Sequence, residues 1–170
     1  GHHSISIGSQ RAALHEEALD GREIGLVWID AHYDAHTHET TRSHNANGMP
    51  LATILGYGPR AFRTMRWAGS GKELSREPSP VFRPENVIHV GAGTSDCEPE
   101  EKALLDRLGV RTFSAPELRK NFFPALTALR DLLLRVDIVS VSFDLDAVEK
   151  AFAPAVHLQN DEGLTRTMLL

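Results

Sequence analysis

An apolar run that leads into three potential metal ligands constrains the fold more than any other stretch of this sequence. Residues 25–29, GLVWI, predict a buried β-strand, and Asp30, His32 and Asp34 follow it at every second position. Side chains two apart on an extended chain share one face, so these three are expected to converge at the strand's carboxyl end. Open α/β sheets bind ligands at that end. The triplet also fits a helix or turn cap, so its partners elsewhere in the chain matter.

A second apolar run ends in the same way. Residues 137–146, DIVSVSFDLD, predict a strand with Asp144 and Asp146 two apart at its carboxyl end. As in the centre of a parallel sheet, its apolar side chains are expected to be buried on both faces: Ile138, Val139, Val141 and Phe143. Both acidic sets would then lie at one sheet edge, where the carboxylates repel strongly unless cations neutralise them. Oxygen ligands with a few imidazoles favour manganese or a similar divalent ion.

Helical and strand patterns alternate along the chain, which is typical of α/β folds with a parallel sheet. We predict one domain over residues 1–170, with three layers, α/β/α, and a mostly parallel sheet that is incomplete at both ends. Helices are predicted within residues 4–18, 48–57, 98–108 and 114–134, the last one kinked or split by Pro124, and further strands at 87–90 and 110–113.

Composition excludes several classes of partner. The net charge of -5 and the lack of a basic stripe argue against nucleic acid. The sequence has no run of 18 apolar residues and no charged-then-apolar leader, so no membrane association is expected. Cys97 is the single cysteine, which excludes an internal disulfide and fits a cytoplasmic location.

Three segments together resemble the signature motifs of the ureohydrolases, the arginase and agmatinase family. IDAHYD and SFDLDAVEKAFAPAV are similar to the second and third motifs, and GHHSISIGS is similar to the first, with His3 at a metal-ligand position and His2 in place of the usual Asp. An affinity-tag remnant is the alternative for residues 1–4, but the order and spacing of the motifs favour the family. The resemblance is closest to arginases and corresponds to the middle of a family member. We expect the segments normally before it, and a later glutamate that grips the guanidinium, to be missing.

The resemblance implies two Mn²⁺ ions held by six side chains. They are His3, Asp30, Asp34 and Asp144 for one ion, and Asp30, His32, Asp144 and Asp146 for the other. In the family, a hydroxide that bridges the ions attacks the guanidinium carbon of the substrate, which then yields urea and an amine. We therefore expect hydrolysis of a C–N bond in a small guanidino or amidine substrate, and a homotrimer or homohexamer.

The loop after the second motif departs from the arginase pattern. Asn47 stands where arginases have a histidine thought to shuttle protons, and an amide cannot transfer a proton as imidazole does. Loss of a general acid or base typically costs about 10²–10⁴ in rate. His44, His36 or His38 could substitute, so the candidate catalytic residues are Asp34, Asn47 and His44.

The same loop carries part of the predicted substrate site. Thr41 and Ser43 are located where arginases bind the substrate α-carboxylate, whereas His36 replaces the usual Asn. Asp96 and Glu98 fall near the acids that recognise the α-amino group. Thr41 and Ser43 favour an amino-acid-like substrate over agmatine.

Two classes of function remain open from the sequence. The first is an arginase-like manganese hydrolase. The second is a catalytically impaired metal-binding relative or a truncated copy, which Asn47, the incomplete ends, and Glu149 and Lys150 in place of the third motif's Asp-Pro would favour. A hydrolase of another amidine, such as formiminoglutamate, is a further alternative because relatives that act there also depart from the arginase loop.

Overall fold

The computed structural model describes residues 3–13, 21–64, 80–93 and 97–169. The helices in these ranges are α1 (Ile5–Ala13), α2 (Pro50–Ile54), α3 (Arg60–Arg63), α4 (Pro99–Leu108), α5 (Ala115–Lys120), α6 (Phe123–Leu133) and α7 (Arg166–Leu169). The strands are β1 (Ile24–Ile29), β2 (Val87–Ala92), β3 (Arg111–Ser114) and β4 (Ile138–Phe143). Among the described helices, none is both long and apolar enough to cross a membrane.

The four strands form one parallel sheet in the order β3-β2-β1-β4. β1 lies between β2 and β4, and its last residue, Ile29, is opposite Val90 on one side and Phe143 on the other. The prediction of a parallel sheet is therefore confirmed. Because all strands run the same way, the residues after β1 and after β4 meet at one edge.

Helices cover both faces of this sheet, as a three-layer arrangement requires. Alternate residues of β1 point to opposite faces. Trp28 belongs to a core with Leu51 of α2 and Leu105 of α4, whereas Val27 packs in a separate core with Leu132 of α6. The predicted α/β/α layering is thus present in the described residues.

Among the described residues β4 is an edge strand, and the prediction that its apolar side chains are buried on both faces is wrong there. Within the described part of the chain it pairs with β1 alone, and Val141 and Phe143 are 59% and 44% exposed. The opposite face carries serines that contact α1, where Ser140 Oγ donates to Gln10 Oε1 at 2.8 Å. An apolar run shows that a strand can be buried, but its position in the sheet depends on neighbours that the run does not encode.

Two predicted helices differ from the sequence pattern in instructive ways. The helix predicted over residues 114–134 is split, because α5 ends at Lys120 and α6 begins at Phe123 with Pro124 in its first turn. A proline in that position removes no intrahelical hydrogen bond. The helix predicted within residues 4–18 is described only to Ala13, and its remainder lies outside the described residues.

Adjacent leucines of α6 provide a matched test of this packing. Leu132 is fully buried beneath the sheet, whereas Leu133 is 56% exposed. We expect Leu132→Ala to lower the free energy of unfolding by about 2–5 kcal/mol, because it leaves a cavity. Leu133→Ala should change it by less than about 0.5 kcal/mol. Urea denaturation followed by circular dichroism measures both, and equal losses would contradict the assignment of faces.

Candidate metal centre

The residues after β1 leave the strand before they reach the site. β1 ends at Ile29, and two further bonds continue its pairing with β2: Asp30 N donates to Val90 O at 3.0 Å, and Gly93 N donates to Ala31 O at 2.8 Å. Asp30 Oδ1 then accepts from His32 N at 2.8 Å, and Asp34 has a left-handed backbone with a φ of +51°. Asp30, His32 and Asp34 converge at the end of β1 as expected, but a tight turn after Asp30, and not strand alternation, brings their side chains together.

His3 stands at the centre of the first group of potential ligands. Its Nδ1 lies 2.7 Å from Asp30 Oδ2, 3.0 Å from Asp34 Oδ2 and 3.4 Å from Asp144 Oδ2. The ring stacks on Trp28 with centroids 4.3 Å apart, and its Nε2 contacts Ser142 Oγ at 3.0 Å. These contacts hold the imidazole with Nδ1 facing the carboxylates.

His32 forms the second group with the other oxygen of Asp30. His32 Nδ1 lies 3.4 Å from Asp30 Oδ1 and 3.2 Å from Asp146 Oδ2. Within each group, His3–Asp30–Asp34 and Asp30–His32–Asp146, the ligand atoms all lie within 4.8 Å of one another. Asp30 is only 1% exposed and offers one oxygen to each group, which is the geometry of a bridging ligand.

Asp144 has a less symmetrical position than Asp30. Its Oδ2 faces His3, while its Oδ1 accepts a hydrogen bond from Asp146 N at 3.3 Å. It therefore contacts the His3 group directly and supports the second group through the backbone of Asp146. Its role as a second bridge stays a prediction.

The chemistry of these atoms fits a pair of divalent ions. His3 Nδ1 and Asp34 Oδ2 are buried and lack hydrogen-bond partners among the described residues, although they lie only 3.0 Å apart. Buried polar atoms without partners are rare, and two that face the same point are typical of a ligand position. Carboxylate oxygens with imidazole nitrogens are a donor set that suits Mn²⁺.

Electrostatic coupling in the metal-free site is strong. Burial alone would lower the pKa of His3, but the carboxylates of Asp30 and Asp34 raise it to about 10. Asp146 and Asp30 raise the pKa of His32 to about 11, against the effect of burial. Burial and the charge of Asp30 raise the pKa of Asp34 to about 8, against the two histidines. Both imidazoles therefore hold protons at neutral pH when no metal is bound.

Two of the predicted substrate residues lie together at the start of α4. His36 is buried, with Nε2 3.7 Å from Glu98 Oε2 and Nδ1 3.1 Å from Thr40 Oγ1. Glu98 is the N-cap of α4 and also pairs with Arg42 at 3.4 Å. This end of the loop is thus a compact set of charged groups. The predicted Asp96 lies outside the described residues.

Among the other predicted loop residues, Thr41, Ser43 and His44 form hydrogen bonds within the loop. Thr41 is buried and its Oγ1 accepts from His44 N at 3.1 Å, while Ser43 is exposed and accepts from Asn45 N at 3.2 Å. His44 is exposed, and Asn47 is half-buried in a short 3₁₀ turn. In the part of the chain that the structure describes, no hydrogen bond or ion pair joins His44 or Asn47 to the potential ligands.

Two buried residues contact the ligand loop and were not among the predicted site residues. His89 of β2 is fully buried, and its Nε2 donates to the carbonyl of His32 at 2.7 Å. Glu101 of α4 is 4% exposed, and its Oε1 accepts from Ala35 N at 3.0 Å. The Glu98-x-x-Glu101 spacing predicts a capping box at the start of α4. No local sequence pattern encodes the contacts of these two residues with the loop, because His89 is 57 positions from His32 and Glu101 is 66 positions from Ala35.

Divalent metal binding should displace the protons on His3 and His32, because an imidazole binds a metal only in its neutral form. Because their pKa values are raised to about 10 and about 11, both histidines should release a proton on metal binding throughout the neutral pH range. Calorimetric titration of the metal-free chain with Mn²⁺ in buffers of different ionisation enthalpy should reveal the protons, and the apparent affinity should fall as the pH falls. The His32→Ala variant should release fewer protons when it binds Mn²⁺. His38 is exposed, so His38→Ala should not alter the number of protons released. Binding without proton release would contradict the assignment.

Known proteins resemble this chain in both sequence and fold. Arginase of Bacillus caldovelox is 33% identical over 168 residues, which are 97% of this chain and 50% of that protein. The solved structure of Bacillus caldovelox arginase has a TM-score of 0.82 at 32% identity and is matched over 99% of this chain and 52% of its own length. The structure of formimidoylglutamase from Bacillus subtilis shares the fold, with a TM-score of 0.73 at 19% identity. The match covers 99% of this chain and 44% of that protein.

The chain spans about half the length of the curated relatives it matches. The sequence profile described as Arginase family matches residues 1–170. Together with the parallel sheet and the relatives above, this match over the whole sequence shows that the chain belongs to the arginase family.

Proposed function

We propose that this chain forms a binuclear Mn²⁺ site and hydrolyses a guanidino or amidine C–N bond in the manner of an arginase. The observation that carries the proposal is the position of Asp30, whose two buried oxygens face separate groups at 2.7 Å from His3 and 3.4 Å from His32. Membership in a family that contains arginases supports the reaction class.

The ligand side chains would bind the two ions, and one of them would also orient a water molecule. When bound, two divalent ions supply a nucleophile near neutral pH by lowering the pKa of water. We assign His3, Asp30, Asp34 and Asp144 to one ion and Asp30, His32, Asp144 and Asp146 to the other. Asp34 Oδ2, which has no hydrogen-bond partner among the described residues, would accept a hydrogen bond from the water and orient it.

The residues at the start of α4 would recognise the part of the substrate that is distant from its guanidino or amidine group. Glu98 lies beside His36 and pairs with the exposed Arg42, and its carboxylate would recognise a cationic amino group. Thr41 and Ser43 would recognise a carboxylate, with Asp96 as a further acidic residue. This set favours an amino-acid-like substrate.

A catalytically impaired metal-binding relative is the second candidate, and Asn47 favours it. His44 and His38 are both exposed, and among the described residues no hydrogen bond joins either of them to the potential ligands. Hydrolysis of another amidine, such as formiminoglutamate, is the third. A cytoplasmic location and a homotrimeric or homohexameric assembly are proposals from the single cysteine and the family resemblance.

Metal analysis and product assays separate these candidates. We expect two Mn²⁺ ions per chain and urea release from arginine, agmatine or a guanidino acid, with formiminoglutamate assayed in parallel. His32→Ala should lose one ion and at least about 10²-fold in rate, in keeping with the loss of a metal and its water activation. His157 is exposed and has no assigned role, so His157→Ala should retain both ions and the rate. Two bound ions with no turnover of any substrate would favour the impaired relative, and full activity of His32→Ala would disprove the metal assignment.

A second substitution tests the proton shuttle. Asn47→His restores an imidazole at the position where arginases have one, so kcat should rise by at least about 10-fold if proton transfer limits the rate. His44→Ala serves as the companion variant. A large loss in His44→Ala with no gain in Asn47→His would assign the shuttle to His44 instead.

A further inference from the structure

The conformation of Asp34 requires support from its surroundings. Its φ of +51° lies in the left-handed region, which residues other than glycine seldom adopt. Such backbone strain persists only where neighbouring groups over-determine it. The support for Asp34 is therefore part of the construction of the site.

Hydrogen bonds hold the turn from two opposite sides. On one side, the carbonyl of Asp34 accepts from Leu51 N at 2.9 Å and from Ala52 N at 3.3 Å. On the other side, the next amide, Ala35 N, donates to Glu101 Oε1 at 3.0 Å. The peptide unit after Asp34 is thus fixed at its oxygen by α2 and at its nitrogen by a single carboxylate of α4.

Glu101 is buried far beyond what helix capping needs. Its Oε2 accepts from Glu98 N at 3.2 Å, which completes a capping box, and its Oε1 reaches Ala35. α5 has the same device, in which Glu117 accepts from Ser114 N at 2.8 Å. Glu117 is exposed, whereas Glu101 is 4% exposed. Burial of a carboxylate is unfavourable unless its oxygens are satisfied, and Glu101 Oε2 also lies 3.6 Å from His36 Nε2. The contacts with Ala35 and His36 therefore distinguish Glu101 from a residue that only caps.

We propose that Glu101 is a positioning residue for the metal site, which fixes the backbone after Asp34 so that the Asp34 carboxylate faces His3. The proposal rests on the metal site put forward above. Groups that hold a metal ligand in place typically change metal affinity or activity by about 10–100-fold when removed. Glu101 would act through the main chain of the ligand and not through the ligand's side chain.

The test compares two alanine variants that remove equivalent capping residues. Glu101→Ala should lose the exchange protection of the Ala35 amide in the metal-free chain, measured by NMR, and should weaken Mn²⁺ binding by about 10–100-fold in calorimetry. Glu117→Ala should leave both quantities unchanged, although it removes the same kind of cap from α5. Glu101→Gln should fall between wild type and Glu101→Ala, because an amide oxygen is a weaker acceptor than a carboxylate.

Each failure has a separate signature. Equal Mn²⁺ affinity in Glu101→Ala and Glu117→Ala, or an unchanged Ala35 amide in Glu101→Ala, would overturn the proposal. If Glu101→Ala does not fold, unchanged Mn²⁺ affinity in Glu101→Gln overturns it. A wild-type chain that binds no Mn²⁺ would refute the proposed function instead, and exchange at Ala35 would still decide whether Glu101 holds the turn.

Discussion

The burial of Asp30 is the constraint on which the rest of the site depends. A carboxylate that is 1% exposed at the end of the strand between β2 and β4 is tolerable only when charges and donors surround it. Trp28 Nε1 donates to one of its oxygens at 3.1 Å, His32 N donates to the other, and the two imidazoles hold its pKa below the usual range despite burial. His3 and His32 therefore each contact a different oxygen of the same residue, Asp30.

Much of this arrangement follows from local sequence. The apolar runs before Asp30 and Asp144 predicted two parallel strands, and the acids after them predicted a cluster at one sheet edge. Both predictions rest on properties of short segments, namely apolar content and the directions of parallel strands. For the same reason the helix break near Pro124 could be read directly from the chain.

The errors share one physical cause, which is that long-range contacts override local patterns. Asp34 reaches the site through a left-handed turn that α2 and α4 hold from either side, and strand periodicity contains no sign of it. β4 has the composition of a central strand, yet its place in the described sheet is at an edge. Likewise, Glu101 and His89 have no local signature that links them to residues 30–36.

The position of β4 has a consequence for how the protein folds. β1 pairs with β4 across a long stretch of chain, and the bond from Glu23 N to Asp137 joins residues 114 positions apart. His3 and Ser142 are separated by 139 positions. Loop closure must bring these segments together before their contacts contribute stability, so high contact order slows this step. The ligands at positions 3, 30–34 and 144–146 therefore become a single site only after these distant segments have come together.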